Sequence, residues 1–427
     1  MNDLRKKAPV LYDFVDLLLN KTVDGQKVIH QVKRVVADTY GVAFGGVKLP
    51  AFKKAYGLKS SWFSGGEHEV WGTDDRLGLQ GAVFFNALSV SSTDYDEGHR
   101  QAVGHPASTV VPVALELGRA LKKPDDQILK AVLVGYEAGT RFSRARKPEY
   151  VNSYSTGRWG ALAAAATVAV LMEMNRNQFI HALSLAYIHS PAMQGGSTDV
   201  STGSMAKEGV AFAVQAGMQS ALLASEGFRG PYLFLDAYDE IDRSKLLNDP
   251  ADEWLIMSNY FKPFACCRWL HTAVAETLKI MKKESVFPEM IEKIEVKVFG
   301  RVLNLIESKY PENIVQAQFH MPYVIACSVL FGRVSPDEMK EDFLTNSEIK
   351  QMIDKVILVE NERFNQLFPE KLASGVKITL KNGLEYYSEN ITAPWDAGHH
   401  PTDVELYDKY KKLTGSKGEN FWERFFH

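Results

Sequence analysis

The hydrophobic period of this chain changes once, near residue 285, and that change limits what it can fold into. Upstream of it, apolar residues recur at helical spacing. Val28, Val32, Val35, Val36 and Tyr40 fall on one face of a helix. In PDDQILKAVLVGYEAGTRFSR, Pro124 with Asp125 and Asp126 suits a helix start, where a fixed φ and negative charge are favourable. GALAAAATVAVLMEM, NRNQFIHALSLAYIHS and GSMAKEGVAFAVQAGMQSALLASEG are rich in Ala and Gly, which let neighbouring helices approach closely. These stretches predict a compact multihelical domain.

Downstream the pattern alternates. In KIEVKVFG, Ile294, Val296 and Val298 interleave with Lys293, Glu295 and Lys297, as in a half-buried strand. VKITLKNGLEYYSE repeats this with Val376, Ile378 and Leu380 before Asn382-Gly383, a strong hairpin signal. QFHMPYVIACSVLFG and SPDEMKEDFL, which lie between them, read as helices. PTDVELYDKYKKL is helical again and is expected to pack back on the first domain. The chain therefore reads as mainly α: a large multihelical domain over residues 1–262, completed by 395–427, and a smaller α+β domain over 263–394.

Composition narrows the function classes. A net charge of -3 over 427 residues, without a Lys/Arg block, leaves no electrostatic footprint for nucleic acid. The longest apolar run, residues 161–172, falls short of the roughly 20 residues that cross a bilayer, so no membrane partner is expected. MNDLRKKAPVLYDFV carries an early acid and no sustained apolar core with a cleavage site, which points to a cytoplasmic location. G-x-G-x-x-G after a strand, G-x-x-x-x-G-K-[ST] and H-E-x-x-H are all missing, and no repeat recurs at a fixed period. The three cysteines, Cys266, Cys267 and Cys327, suit neither a disulfide framework nor a paired zinc site, and their spacing is a poor match to an iron-sulfur cluster. Small molecules become the favoured partners.

One stretch resists a structural explanation. STDYDEGHRQAVGHPAS, residues 92–108, gathers Asp94, Asp96, Glu97, His99 and His105 between two apolar segments. It reads as a metal site, an acid/base loop or a solvated turn. The acids and His99 offer suitable donors, but their spacing matches no metal signature. Acid/base chemistry next to a carboxylate needs a base, a proton donor and cations that hold the growing charge. Cations occur elsewhere. GSMAKEG places Lys207 at the opening of a small-residue helix, where free N–H groups favour an anion. YFKPFACCRWLH packs Lys262, Cys266, Cys267, Arg268 and His271 at the junction of the two domains, a favoured place for a ligand cleft. Taken singly, each reads as a surface charge or a core histidine.

The ordered series N-A-x-S, D-Y-D-E-G-H-R, G-H-P-A-S, GSMAK, GFRGP, YFKPFACCRWLH and FHMPYVIA resembles the MmgE/PrpD family over nearly the whole chain. That family contains 2-methylcitrate dehydratases, cis-aconitate decarboxylases and iminodisuccinate epimerases. The resemblance implies a homodimer and chemistry without a metal or organic cofactor. Its loop pattern, Asp-aromatic-Asp-Asp-Thr then His-Pro-Ser, falls on Asp94, Tyr95, Asp96, Glu97 and Gly98, then His105, Pro106 and Ala107. Gly98 thus stands where the family has Thr, deleting a hydroxyl and, by glycine's conformational freedom, loosening the loop. The family lysines fall on Lys207 and Lys262 and its late aromatic on Tyr323. Two histidines of the decarboxylases are replaced by Val151 and Cys267. Tyr154, close to the first vacancy, offers a phenol in its place.

The resulting expectation is a cofactor-independent lyase that dehydrates, or less favourably decarboxylates, a small di- or tricarboxylate. His105 and Asp94 handle protons, and Lys207, Lys262 and Arg268 bind carboxylates. Tyr323 contacts or protonates the substrate, and His99, Tyr154, Cys267 and His271 complete the pocket. An epimerase of the iminodisuccinate type is the first alternative. A non-catalytic carboxylate-binding protein on the same fold is the second.

Overall fold

A computed structural model of the chain describes residues 2–23, 25–192, 200–248 and 254–426. After two N-terminal helices, Asn2–Lys7 and Pro9–Asn20, comes α1 (Gln26–Gly46), whose Val32, Val35, Val36 and Tyr40 are buried. There follow α2 (Leu79–Ser92), α3 (Pro106–Ala120), α4 (Asp125–Ala145), α5 (Gly157–Leu171), α6 (Arg176–His189) and α7 (Val210–Ser225). The Ala-rich α5 is the central post, packed by α3, α4, α6 and α7. Small residues permit that crowding. A Cβ at Gly217 of α7 would lie 2.2 Å from the Ala161 carbonyl oxygen of α5, so any larger residue there would push the two helices apart. Among the described residues no helix is long and apolar enough to cross a membrane.

A second hydrophobic cluster forms around one sheet. Its strands β3 (Ile291–Val298), β4 (Val356–Glu360), β5 (Ser374–Leu380) and β6 (Glu385–Asn390) lie in the order β4-β3-β5-β6. β3 runs parallel to β4 and antiparallel to β5, and β5 pairs antiparallel with β6. The Asn-Gly signal marks the β5–β6 connection: Gly383 is left-handed at φ 87°, and the Asn382 side chain accepts from Leu384 N–H. Helix α8 (His271–Lys283) lies against β5, β6 and α9 (Met321–Phe331). The cluster boundary falls inside YFKPFACCRWLH, with Ala265 in the first cluster and Cys266 in the second.

Two helical readings shorten in the structure. QFHMPYVIACSVLFG breaks into Ile314–Phe319 and α9, with an extended His320 between them. Pro322 has no N–H to continue the first helix, and its ring opposes a helical carbonyl four residues back. His320 becomes the N-cap and accepts from Tyr323 N–H. In SPDEMKEDFL only Glu341–Leu344 is helical, because the Glu338 carboxylate takes the Ser335 N–H and hydroxyl and closes a local turn instead.

The C-terminal helices α10 (Asp403–Thr414) and α11 (Glu419–Phe426) return to the first cluster through Leu406, Tyr410, Trp422 and Phe425. α10 also delivers a charge to the interior. Buried Lys409 pairs with buried Asp38 of α1 at 2.7 Å and donates to the Tyr95 carbonyl at 2.8 Å. Lys409→Met should therefore destabilise the fold by about 3–5 kcal/mol in denaturant titrations, since it strands Asp38 in the core. The double variant Lys409→Met/Asp38→Leu should recover much of that loss.

Candidate active site

The stretch that resisted explanation is a buried loop between α2 and α3. Asp94, Tyr95, Asp96 and Glu97 are all buried, which excludes a solvated turn. Asp94 follows the C-cap of α2 and is left-handed at φ 49°. The loop ends in strand β1 (Gly98–His99), which pairs antiparallel with β2 (Asn259–Tyr260). Lys262 lies just beyond β2, so this short ribbon ties the loop to the junction motif.

Asp94 is the hub. Its Oδ1 lies 3.2 Å from Lys207 Nζ and 3.0 Å from Lys262 Nζ, and Lys262 also donates to the Asp94 carbonyl at 2.9 Å. Burial would raise the Asp94 carboxyl, but the two ammonium groups and His105 outweigh it and hold the carboxyl well below the usual range. The same partner overcomes burial at both lysines and raises them above the ordinary value. All three groups are charged at neutral pH.

His105 is the N-cap of α3, followed by Pro106. Its Nδ1 meets the Glu97 carbonyl at 2.8 Å. A carbonyl only accepts, so Nδ1 carries a proton, and in the neutral imidazole the lone pair lies on Nε2. Nε2 faces Asp94 Oδ1 at 3.7 Å, and Asp96 Oδ2 lies 3.4 Å from Nδ1. A chain of contacts fixes the backbone behind the imidazole: the His105 amide N–H donates to Thr156 Oγ1, and Thr156 donates through its N–H and hydroxyl to Glu208.

The backbone around Lys207 differs from the sequence expectation. α7 starts only at Val210, and Lys207, Glu208 and Gly209 form a left-handed turn at φ 36°, 54° and 69°. That turn, rather than a helix N-terminus, aims the Lys207 side chain at Asp94, with its ammonium 4.8 Å from the Phe319 ring centroid. Left-handed non-glycine residues cost free energy and persist where surroundings hold them. Two of this chain's, Asp94 and Lys207, meet in one ion pair.

Gly98 is not a loosened position. It is buried in β1 opposite Tyr260, and a Cβ there would lie 2.3 Å from the Tyr260 hydroxyl and 3.0 Å from the Gly104 carbonyl oxygen. The phenol occupies the space that a side chain at 98 would need. Burial, ahead of every neighbouring charge, pushes Tyr260 well above its ordinary value, so it stays protonated. Among the described residues its hydroxyl has no hydrogen-bond partner, and Arg268 stacks on its ring at 4.4 Å.

The remaining expected residues divide. Cys267 lies beside the cluster, with its thiol pushed up to about 12 by burial and then by Asp94. Arg268 is committed to Asp396 at 2.5 Å as well as to the Tyr260 ring. His99 is held on both ring nitrogens: Nδ1 accepts from Ala102 N–H, so Nε2 donates to the Leu255 carbonyl, and burial lowers it to about 4. His271 donates to the Cys266 carbonyl and is lowered to about 3 by burial, with Lys262 adding to the effect. Both are neutral, satisfied core histidines. Tyr154 is 46% exposed and contacts Arg146. Tyr323 lies in the second cluster and donates to the Glu338 carbonyl at 2.6 Å, away from Asp94. Tyr260, Phe319, Gln318 and Glu208 were missed by sequence reasoning. Their signals were positional: Glu208 is the acid next to Lys207, Tyr260 opens the junction motif, and Gln318 and Phe319 open QFHMPYVIACSVLFG.

Beside the cluster lies a cavity of about 280 Å³ whose walls include Ser92, Lys207 and Gln318. Three buried oxygens lack hydrogen-bond partners among the described residues: Asp94 Oδ2 and Asp96 Oδ2 in the cluster and Gln318 Oε1 of the cavity wall. Such groups are costly unless a ligand or water meets them. No group of three His, Cys, Asp or Glu among the described residues is arranged to hold a metal ion.

Comparison with known proteins adds relatives. Residues 13–241 match the model of the MmgE/PrpD N-terminal domain, and residues 264–420 that of the MmgE/PrpD C-terminal domain. The chain is 25% identical to the cis-aconitate decarboxylase of Mus musculus over 400 residues, covering 88% of this chain and 80% of that protein. It is 24% identical to the Homo sapiens cis-aconitate decarboxylase over 396 residues, covering 86% and 79%. It is 23% identical to the 2-methylcitrate dehydratase of Salmonella typhi over 402 residues, covering 87% and 82%.

Two outcomes follow from this geometry. Gly98→Thr should lose about 1–3 kcal/mol through overpacking against Tyr260, and adding Tyr260→Ala should restore part of it, as read by thermal unfolding. His99 titrates near 6.5 when unfolded and about 4 when folded, so its contribution is present above 6.5 and is lost as pH falls towards 4. The stability of His99→Gln should therefore fall less steeply than wild type across that window, by about 1.4 kcal/mol per pH unit.

Proposed function

Because this chain belongs to the MmgE/PrpD family, whose relatives above are lyases, we propose that it removes water from a small di- or tricarboxylate of the methylcitrate kind. The observation that carries this reading is the convergence of Asp94, His105, Lys207 and Lys262, from three separate segments, on one buried cluster that reaches a cavity through Lys207. Lys207 and Lys262 share the Asp94 carboxylate, and Lys207, on the cavity wall, is the cation that an anion in the cavity would meet.

In this reading His105 Nε2 takes the proton from a carbon next to a carboxylate. The C–H electron pair moves into that carboxylate, whose growing charge the two ammonium groups hold. The pair returns to form the C=C bond as the C–O bond on the neighbouring carbon breaks. The departing hydroxide takes the Tyr260 phenol proton and leaves as water, and the tyrosinate is reprotonated by the His105 imidazolium through solvent. Decarboxylation of a cis-aconitate-like acid is the second reading, supported by the decarboxylase relatives. It would use the same cations to orient a carboxylate and a donor to protonate the carbanion after CO2 leaves.

Incubation with methylcitrate, citrate, cis-aconitate and iminodisuccinate in deuterated water separates these readings by NMR. Dehydration gives alkene signals with every carbon retained, decarboxylation loses one carbon, and epimerisation gives exchange without either. His105→Ala should lower kcat/KM by roughly 100-fold or more. Tyr260→Phe should slow alkene formation while hydrogen exchange at the acidic carbon persists. Ligand-induced thermal stabilisation with neither turnover nor exchange would replace the lyase reading by carboxylate binding alone.

A further inference from the structure

The cavity beside the cluster is chemically polarised. Its inner wall holds buried Lys207 and the Gln318 amide, whose Oε1 has no partner among the described residues. Its sides are mostly apolar, with Leu49, Pro50, Met205, Ile314, Val315 and Leu344, and the polar Ser204, Asn313 and Thr345 lie among them. Two exposed carboxylates, Glu312 and Glu341, stand at its outer edge. An acid with carboxylates at both ends would set one of them among apolar walls and near two like charges, at a cost in desolvation and repulsion.

From this arrangement we infer that the substrate carries its carboxylates at one end and an uncharged alkyl arm at the other. A carboxylate lies against Lys207, and the arm runs along Leu49, Ile314, Val315 and Leu344 towards the rim. Glu312 and Glu341 exclude an arm that ends in a negative charge. The substrate class is a 2-alkyl-substituted di- or tricarboxylate, with an arm longer than methyl favoured over methyl. The inference deepens the reading above but rests only on its carboxylate-binding half, that Lys207 takes a carboxylate.

Succinates bearing a 2-substituent test it without turnover. Calorimetric titration of the full chain with succinate and its 2-methyl, 2-ethyl, 2-propyl and 2-butyl derivatives should show Kd falling by roughly fourfold per added methylene until the cavity is filled. Tricarballylate, whose third arm ends in a carboxylate, should bind more weakly than 2-propylsuccinate, and Glu341→Gln should narrow that gap. Leu344→Trp, which fills the cavity, should flatten the chain-length dependence. Affinity that is constant or weakens along the wild-type series, or tricarballylate binding more tightly than 2-propylsuccinate, would overturn the inference. A steep series combined with no turnover in the NMR assay would remove the lyase reading and leave the alkyl pocket standing.

Discussion

The rest of the site depends on one buried interaction: the Asp94 carboxylate held between two ammonium groups. Three charges out of water cost more than their mutual attraction returns unless geometry and further hydrogen bonds are favourable. Such a cluster is a poor device for stability alone. Here it is accompanied by left-handed backbone at Asp94 and Lys207 and by two carboxylate oxygens without partners among the described residues. Strain, buried charge and unmet acceptors in one place are the marks of a surface prepared for a ligand.

The loop that carries Asp94 is held by its carbonyls. The Asp94 carbonyl takes Lys262, the Tyr95 carbonyl takes Lys409 and the Glu97 carbonyl takes His105. These donors come from the domain junction, the C-terminal helix and the start of α3, so distant parts of the chain meet on a few residues. The same contact that holds the loop also fixes the His105 tautomer. In the proposed reaction a scaffold bond and a requirement of the chemistry are thus one interaction, and moving the loop would release the imidazole as well as the backbone.

Much of this was legible in the sequence, for identifiable reasons. Helical and alternating periods are local, so α1, α5, β3 and the Gly383 hairpin could be read directly. Asp94, His105, Lys207 and Lys262 stood out because charged residues in Gly- and Pro-punctuated stretches have no packing role to explain them. What could not be read depends on contacts between distant segments. The exchange of a side chain at Gly98 for the Tyr260 phenol is a cross-strand relation, invisible until β1 and β2 are paired. His99 looked like part of the chemistry because it shares a motif with His105, but the hydrogen bonds to Ala102 and Leu255 use both its nitrogens. Tyr323 was placed by resemblance, and the break at His320 starts its helix where the hydroxyl reaches Glu338.

The proton inventory of the cluster bears on which reaction suits it. Asp94 is held as a weakly basic carboxylate, and Lys207 and Lys262 are held as ammonium groups. The Cys267 thiol, near 12, and the Tyr260 phenol remain protonated, and each is a donor. Within this set the Glu97 carbonyl holds the proton of neutral His105 on Nδ1, which turns the lone pair of Nε2 towards Asp94. Epimerisation asks for a base on each face of one carbon, whereas elimination asks for one base, one donor and cations for the intermediate charge. A single imidazole that shares Asp94 with two lysines, with a phenol packed on Gly98, matches the second demand more closely than the first.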